Sequence, residues 1–203
     1  MLIKIYEENP NSKAINQVIN ILREGGIIIY PTDTVYAMGC DALNVRAVEK
    51  ICKIKGINPQ KSNLSIICPN LSNISEYAKV SNPVFKLMKR NLPGPFTFIL
   101  NATNSLPKIY KNRKEVGIRI PGNKIILTLT EELGNPILTT SVRDKDDFME
   151  YCPDPELIDE AYGNIVDRVI DGGYGGLEPS TIVDCTGEEI RIVRQGKGEL
   201  IEL

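Results

Sequence analysis

Three small polar side chains, Thr32, Asp33 and Thr34, follow an apolar run over 27–30 that Pro31 stops, and the aromatic Tyr36 comes just after. Proline has no N–H for a ladder hydrogen bond, so the strand implied by the run should end there, leaving these groups at its carboxyl end. In open α/β sheets that edge is where ligands bind; the pattern alone is equally that of a plain turn. Ser141 also follows an apolar strand and is expected at the same edge. Gly172, Gly173, Gly175 and Gly176 surround Tyr174 shortly before Ser180 and Thr181. Successive N–H groups in such a loop can cradle an anion, and glycines also suit a flexible connection between strands. Lys53 and Lys55 flank Ile54 at the end of a helical pattern, where two cations complement the helix dipole. Arg119 and Arg194 end or follow strands, positions where a lone arginine is usually surface.

The chain has no histidine. That removes Ser-His and Cys-His nucleophilic schemes and the commonest zinc ligand. A general base must then be a carboxylate, a lysine, a tyrosine or the substrate itself. The five cysteines, Cys40, Cys52, Cys68, Cys152 and Cys185, form no CxxC and no zinc spacing. No metal site is read; Asp33 and Asp184 are candidates by location only.

The elements that must position these groups are legible as periodicities. Ile15, Val18, Ile19 and Leu22 predict a helix over 11–24, with Ser12 as its cap and Gly25-Gly26 as its stop. Val45, Val48, Ile51 and Cys52 predict a second over 44–53. Asn73 with Glu76 has capping-box spacing for a short helix, and Asn82-Pro83 opens another that runs to Asn91. Helices are also expected over 123–133, ended by Gly134, and over 154–162. Strands are expected over 2–6, 27–30, 64–68, 96–100, 116–120, 137–140, 166–170, 181–184 and 190–193. Helices and strands alternate early and strands dominate late, which predicts a mixed sheet.

At 203 residues, with 42% hydrophobic and 25% charged content, the chain fits one globular domain over 1–203. A net charge of −2 argues against nucleic-acid binding through the overall field. The sign is uneven, however: 86–119 holds eight basic residues and one acid, and 144–160 eight acids and one base. This fits either two solvated surfaces or a basic face for phosphate or RNA. An odd cysteine count, an opening strand in place of a secretory leader, and no apolar run near the ~18 residues of a membrane span predict a reduced, cytoplasmic protein with no membrane partner.

Pro31-Thr32-Asp33-Thr34-Val35-Tyr36 after a Gly-Gly-apolar strand resembles the opening signature of the YrdC-like family, the threonylcarbamoyl-AMP synthases and their relatives. The resemblance continues in order through Lys53-Ile54-Lys55, Ser62-Asn63-Leu64-Ser65, Pro93-Gly94-Pro95-Phe96-Thr97 and Gly117-Ile118-Arg119-Ile120-Pro121. It extends through Thr139-Thr140-Ser141, Asp171-Gly172-Gly173, Ser180-Thr181-Ile182 and Arg194-Gln195-Gly196. No one of these is specific; the series in register is. Met38-Gly39-Cys40, Ser62-Asn63-Leu64 and Ser141-Val142 look more like the YciO branch.

The resemblance implies an α/β fold, a single-domain twisted open mixed sheet with flanking helices and a concave basic cavity. It implies a nucleotidyltransferase that joins L-threonine, bicarbonate and ATP, with Mg²⁺ on the nucleotide, into threonylcarbamoyl-AMP. The product would pass to a second enzyme that modifies tRNA. Lys53 and Lys55 would then act on the phosphates as the catalytic pair, and Ser141, Arg143 and Arg194 would bind the nucleotide. Thr32, Tyr36, Arg119, Ser180 and Thr181 would bind threonine or the carbamate. Lys55 stands where the synthases carry arginine, and Arg143 where they carry asparagine. A lysine offers a point charge in place of a planar fork. These departures motivate the alternative of a YciO-type protein that binds nucleotide or double-stranded RNA with little or no catalysis.

Overall fold

Residues 27–30 are apolar at every position because helices cover both sides of them. The structure is a computed structural model that describes residues 2–58, 64–107, 114–142 and 153–201. In chain order it runs β1 (Leu2–Lys4), α1 (Ser12–Arg23), β2 (Ile28–Tyr30), β3 (Ala37–Asp41), α2 (Val45–Ile54) and β4 (Ser65–Ile67). A 3-10 turn (Leu71–Asn73) leads into α3 (Ile74–Tyr77), β5 (Ala78–Lys79) and α4 (Asn82–Asn91). Next come β6 (Phe96–Ala102), β7 (Glu115–Arg119), α5 (Lys124–Leu133) and β8 (Ile137–Ser141). The chain closes with α6 (Pro155–Tyr162), β9 (Arg168–Asp171), β10 (Thr181–Asp184) and β11 (Arg191–Arg194).

All of these strands join one open mixed sheet in the order β1-β9-β2-β3-β8-β4-β7-β6-β10-β11, with β5 paired to β6. The pairs β1/β9, β2/β9, β4/β7 and β6/β10 are parallel and the others antiparallel. On one face Ile28 and Tyr30 join Ala37, Ile67 and Ile137 under α1 and α5, in a core with Leu22 and Leu129. On the other, Ile27 and Ile29 pack with Met38, Ile66 and Leu138 against α2, α4 and α6.

The first face changes character past β4. Phe96, Phe98, Leu100, Val116 and Ile118 alternate into the second core. Among the described residues, nothing from β6, β7, β10 or β11 enters the core under α1 and α5. On that face Thr139 lies opposite Ser65 and Ser65 opposite Gly117, and along β6 Thr97 and Asn101 stand on either side of Ile99. Alternating strands with one unroofed face are the antiparallel pattern.

Three local expectations are corrected. Asn11, not Ser12, caps α1, its Oδ1 accepting from the Lys13 and Ala14 N–H groups at 2.9 and 3.2 Å. Asn73 makes no cap bond, because the 3-10 turn runs straight into α3 and Asn70 does the capping, accepting from Ser72 N–H at 2.9 Å. The strand β3 was not expected, since Ala-Met-Gly-Cys-Asp has no β-branched residue. Gly39 is needed there: a Cβ would meet the Tyr30 ring at 2.8 Å.

Burial pushes the Cys68 thiol up to about 12 and that of Cys185 up to about 11. In the unfolded chain thiols ionise near pH ~8.5. Above that pH the unfolded state therefore binds fewer protons than the native one, and stability falls as pH rises toward 11–12. Urea midpoints should drop from about pH 8 to about pH 10. The drop should shrink in Cys68→Ala/Cys185→Ala.

Candidate functional site on the open sheet face

Register places Arg119 opposite Ile67, and Ile67 opposite Ile137, whereas Tyr30 aligns with Ala37 and Ala37 with Ser141. Arg119 and Tyr30 thus lie at different levels of the sheet. Arg119 Nη2 nonetheless donates to Asp33 Oδ1 at 3.2 Å and to Thr34 Oγ1 at 3.1 Å. The 31–36 loop must therefore double back across the open face. The expected location along the carboxyl edge is corrected accordingly: the hydroxyls sit over the sheet, because the unroofed half leaves room for the loop.

The loop is held by a directed chain of hydrogen bonds. Arg119 donates to the Thr34 hydroxyl, which contacts Thr32 Oγ1 at 2.9 Å, and Thr32 Oγ1 donates to Val35 O at 2.8 Å. The Thr34 N–H also donates to Thr32 Oγ1 at 3.0 Å. Thr32 and Thr34 are buried, and such chains polarise one another in a low dielectric.

Asp33 joins three elements. Its Oδ1 accepts from Arg119, its Oδ2 from Gly122 N–H at 2.7 Å, and its backbone carbonyl from Lys197 Nζ at 2.6 Å. The Arg119 side chain is 9% exposed, and its buried Nε has no hydrogen-bond partner among the described residues. Burial lowers the Arg119 pKa, partly offset by Asp33. Partial burial, and then the charge of Arg119, lower that of Arg194. Two guanidinium groups therefore sense each other on this face.

Arg194 donates Nε and Nη2 to Ser180 O at 3.2 and 2.6 Å. The Ser180 hydroxyl pairs with Thr97 Oγ1 at 2.8 Å, and both residues are buried. Thr181 is wholly buried: its hydroxyl donates to Gly198 O at 2.6 Å and accepts from Gly196 N–H at 3.0 Å. It fastens the C-terminal segment.

Tyr36 is buried, and its hydroxyl donates to Gly173 O at 2.7 Å and accepts from Gly172 N–H at 3.2 Å. The anion-cradle reading of the glycine loop is corrected. Gly173 N–H goes to Asp171 Oδ1, Gly175 N–H to Pro153 O and Gly176 N–H to Thr34 O. With Gly172, all four glycine N–H groups are engaged by the protein.

Ser141 is exposed at the end of β8, beside Ala37. Lys55, the C-cap of α2, donates Nζ to Val142 O at 3.1 Å, and Val142 N–H donates to Tyr36 O at 3.1 Å. Lys55 thus reaches the end of β8. Lys53 is exposed in the last turn of α2, with no contact to this group among the described residues. Arg143 lies outside the described residues, as do Ser62 and Asn63. The sequence reading missed Thr97, Lys197 and the joining role of Asp33. The signals were Thr97 at the end of the Pro93–Thr97 run, Asp33 inside the Pro-Thr-Asp-Thr run, and Lys197 between two glycines just past Arg194. Among the described residues no three His, Cys, Asp or Glu side chains gather as a metal site.

Residues 20–196 match the Sua5/YciO/YrdC family model, whose description reads "Telomere recombination". The chain belongs to the Sua5/YciO/YrdC family. YciO of Escherichia coli strain K12 is 41% identical over 199 residues, which cover 97% of this chain and 95% of YciO. The crystal structure of E. coli YciO superposes with a TM-score of 0.90 at 40% identity, over 98% of this chain and 97% of that one. A protein of Methanocaldococcus jannaschii named putative threonylcarbamoyl-AMP synthase is 34% identical over 203 residues, 96% of this chain and 92% of its own. The crystal structure of P. abyssi Sua5 complexed with L-threonine superposes with a TM-score of 0.85 at 27% identity, over 97% of this chain and 57% of that one. The expected family and mixed-sheet fold hold, including the likeness to YciO.

Asp33→Ala should destabilise the protein by about 3 kcal/mol, because it leaves the buried Arg119 charge uncompensated. In a double-mutant cycle by urea unfolding, Arg119→Met in the Asp33→Ala background should cost less than Arg119→Met alone.

Proposed function

We propose that this family member forms threonylcarbamoyl-AMP and pyrophosphate from L-threonine, bicarbonate and ATP, to supply threonylcarbamoyl groups for tRNA modification. The observation that carries the reading is the buried Arg119, whose Nε has no hydrogen-bond partner among the described residues, together with the Arg194 guanidinium held on Ser180 O. A guanidinium so placed suits a carboxylate or phosphate oxygen. The likeness to a Sua5 complexed with L-threonine supports a small amino acid as one such ligand.

The chemistry asks little of the protein beyond positioning and positive charge. Bicarbonate gives carbon dioxide and hydroxide as one C–O bond breaks; the neutral amine of threonine adds to the carbon dioxide, and its proton goes to the hydroxide as water, leaving a carbamate. A carbamate oxygen attacks the α-phosphorus of ATP, and the bond from that phosphorus to the bridging oxygen breaks as pyrophosphate leaves. The nucleophile comes from the substrate, so a chain without histidine suffices. Arg119 takes the threonine carboxylate. Lys53 and Lys55 steady the phosphates, which bring Mg²⁺ with them, while Arg194, Ser141 and Arg143 hold the nucleotide. The hydroxyls of Thr32, Tyr36, Ser180 and Thr181 shape the pocket through the bonds they already make.

Purified protein should release pyrophosphate and AMP-linked product only when ATP, L-threonine and bicarbonate are all present. Lys53→Ala, which removes a charge-assisted contact to the departing phosphates, should slow turnover about ten- to a hundredfold. ATP or duplex-RNA binding with no pyrophosphate from the unmodified protein would refute the reading and leave a binding protein.

A further inference from the structure

Lys197 lies one residue past the stretch matched by the family, which ends at 196. Its side chain is exposed in the general sense, yet its Nζ donates to the Asp33 carbonyl at 2.6 Å. Ordinary surface lysines sample many rotamers and hold no one partner. Here the backbone on both sides is fastened. Lys197 N–H donates to Pro179 O at 2.9 Å, and Gly196 N–H donates to the Thr181 hydroxyl at 3.0 Å. Gly198 O accepts from Thr181 Oγ1 at 2.6 Å and from Gln195 Nε2 at 2.8 Å. Further on, Asn91 clamps Ile201 from both sides, donating Nδ2 to its carbonyl and accepting its N–H, each at 2.9 Å. The origin of the lysine stem is therefore fixed, and its ammonium is delivered to one carbonyl.

That carbonyl belongs to the residue on which the loop turns. The Asp33 carboxylate is shared between Arg119 and Gly122 N–H. Rotating the Asp33 peptide would disturb both bonds, and with them the threonine relay behind Arg119. We propose that Lys197 is a positioning residue. By holding the Asp33 carbonyl, the C-terminal segment fixes the 31–36 loop and aims the Arg119 guanidinium into the site. Its consequence for catalysis rests on the synthase reading above: Lys197 touches no reacting atom and acts through Asp33, so its loss weakens ground-state capture of the amino acid.

Two readouts test this, and the first is independent of any activity. Amide hydrogen exchange, followed by NMR on the intact chain without ligand, reports on Thr34 N–H and Gly122 N–H, whose acceptors are Thr32 Oγ1 and Asp33 Oδ2. In Lys197→Met both amides should exchange about tenfold faster, the factor expected from one lost charge-assisted hydrogen bond. The buried Leu138 amide should keep its rate. Lys197→Arg, which can still reach the carbonyl, should restore protection. Unchanged exchange at Thr34 and Gly122 overturns the proposal, as does a change that Arg does not rescue or that Leu138 shares. The second readout is pyrophosphate release against L-threonine, where Lys197→Met should raise KM more than it lowers kcat. A fall in kcat at unchanged KM overturns the positioning role. If the unmodified protein makes no pyrophosphate, the synthase reading falls and the exchange experiment alone decides the role of Lys197.

Discussion

The contact between Asp33 and Arg119 is the constraint on which the site depends. Removing a guanidinium from water is expensive, and proteins tolerate it only where a carboxylate and further acceptors compensate. Here one carboxylate serves, at 3.2 Å, and Thr34 supplies one neutral acceptor at 3.1 Å. Arg194 adds a like charge nearby, and the buried Nε of Arg119 lacks a partner. The compensation of the Arg119 charge among the described residues is therefore incomplete, and the Asp33 contact carries most of it.

Such an arrangement needs a sheet covered on only part of one face. Where α1 and α5 pack, residues 27–30 are apolar on both sides, and no charge could persist there. Past β4 in sheet order none of the described strands joins the core under α1 and α5, and β6 alternates: Phe96, Phe98 and Leu100 face the other core while Thr97, Ile99 and Asn101 face away. The same strands therefore secure the fold through one face and present chemistry on the other.

Much of this was legible in the order of residues. Periodicity found the helices, because α1, α2, α4 and α5 each bury one stripe, and the run over 27–30 found the doubly covered strand. The motif series named Thr32, Arg119, Ser180 and Arg194; hydrogen bonds join Thr32 to Arg119 through Thr34, and Ser180 to Arg194 directly. Three things were hidden. β3 has weak strand propensity and exists because β2 and β8 flank it. The site lies over a face and not at an edge, which follows from pairing register and is invisible to local pattern. Lys197 finds Asp33 across 164 positions of sequence, a contact no spacing rule anticipates.

The hydroxyls show why motif residues and ligand-touching residues are different sets. Thr32, Tyr36 and Thr181 all belong to the family-like runs, yet each hydroxyl is already satisfied by backbone groups, that of Thr32 within its own loop and those of Tyr36 and Thr181 in distant segments. A buried hydroxyl without a partner would be destabilising, so side chains that look like ligands in a sequence can be fasteners in a fold. Recognition then passes to groups the fold leaves incomplete, and among these residues the incomplete group is Arg119. The threonine and tyrosine hydroxyls thus hold a loop still, and the proposed reaction, whose nucleophile would arrive with the substrate, asks no more of them than that.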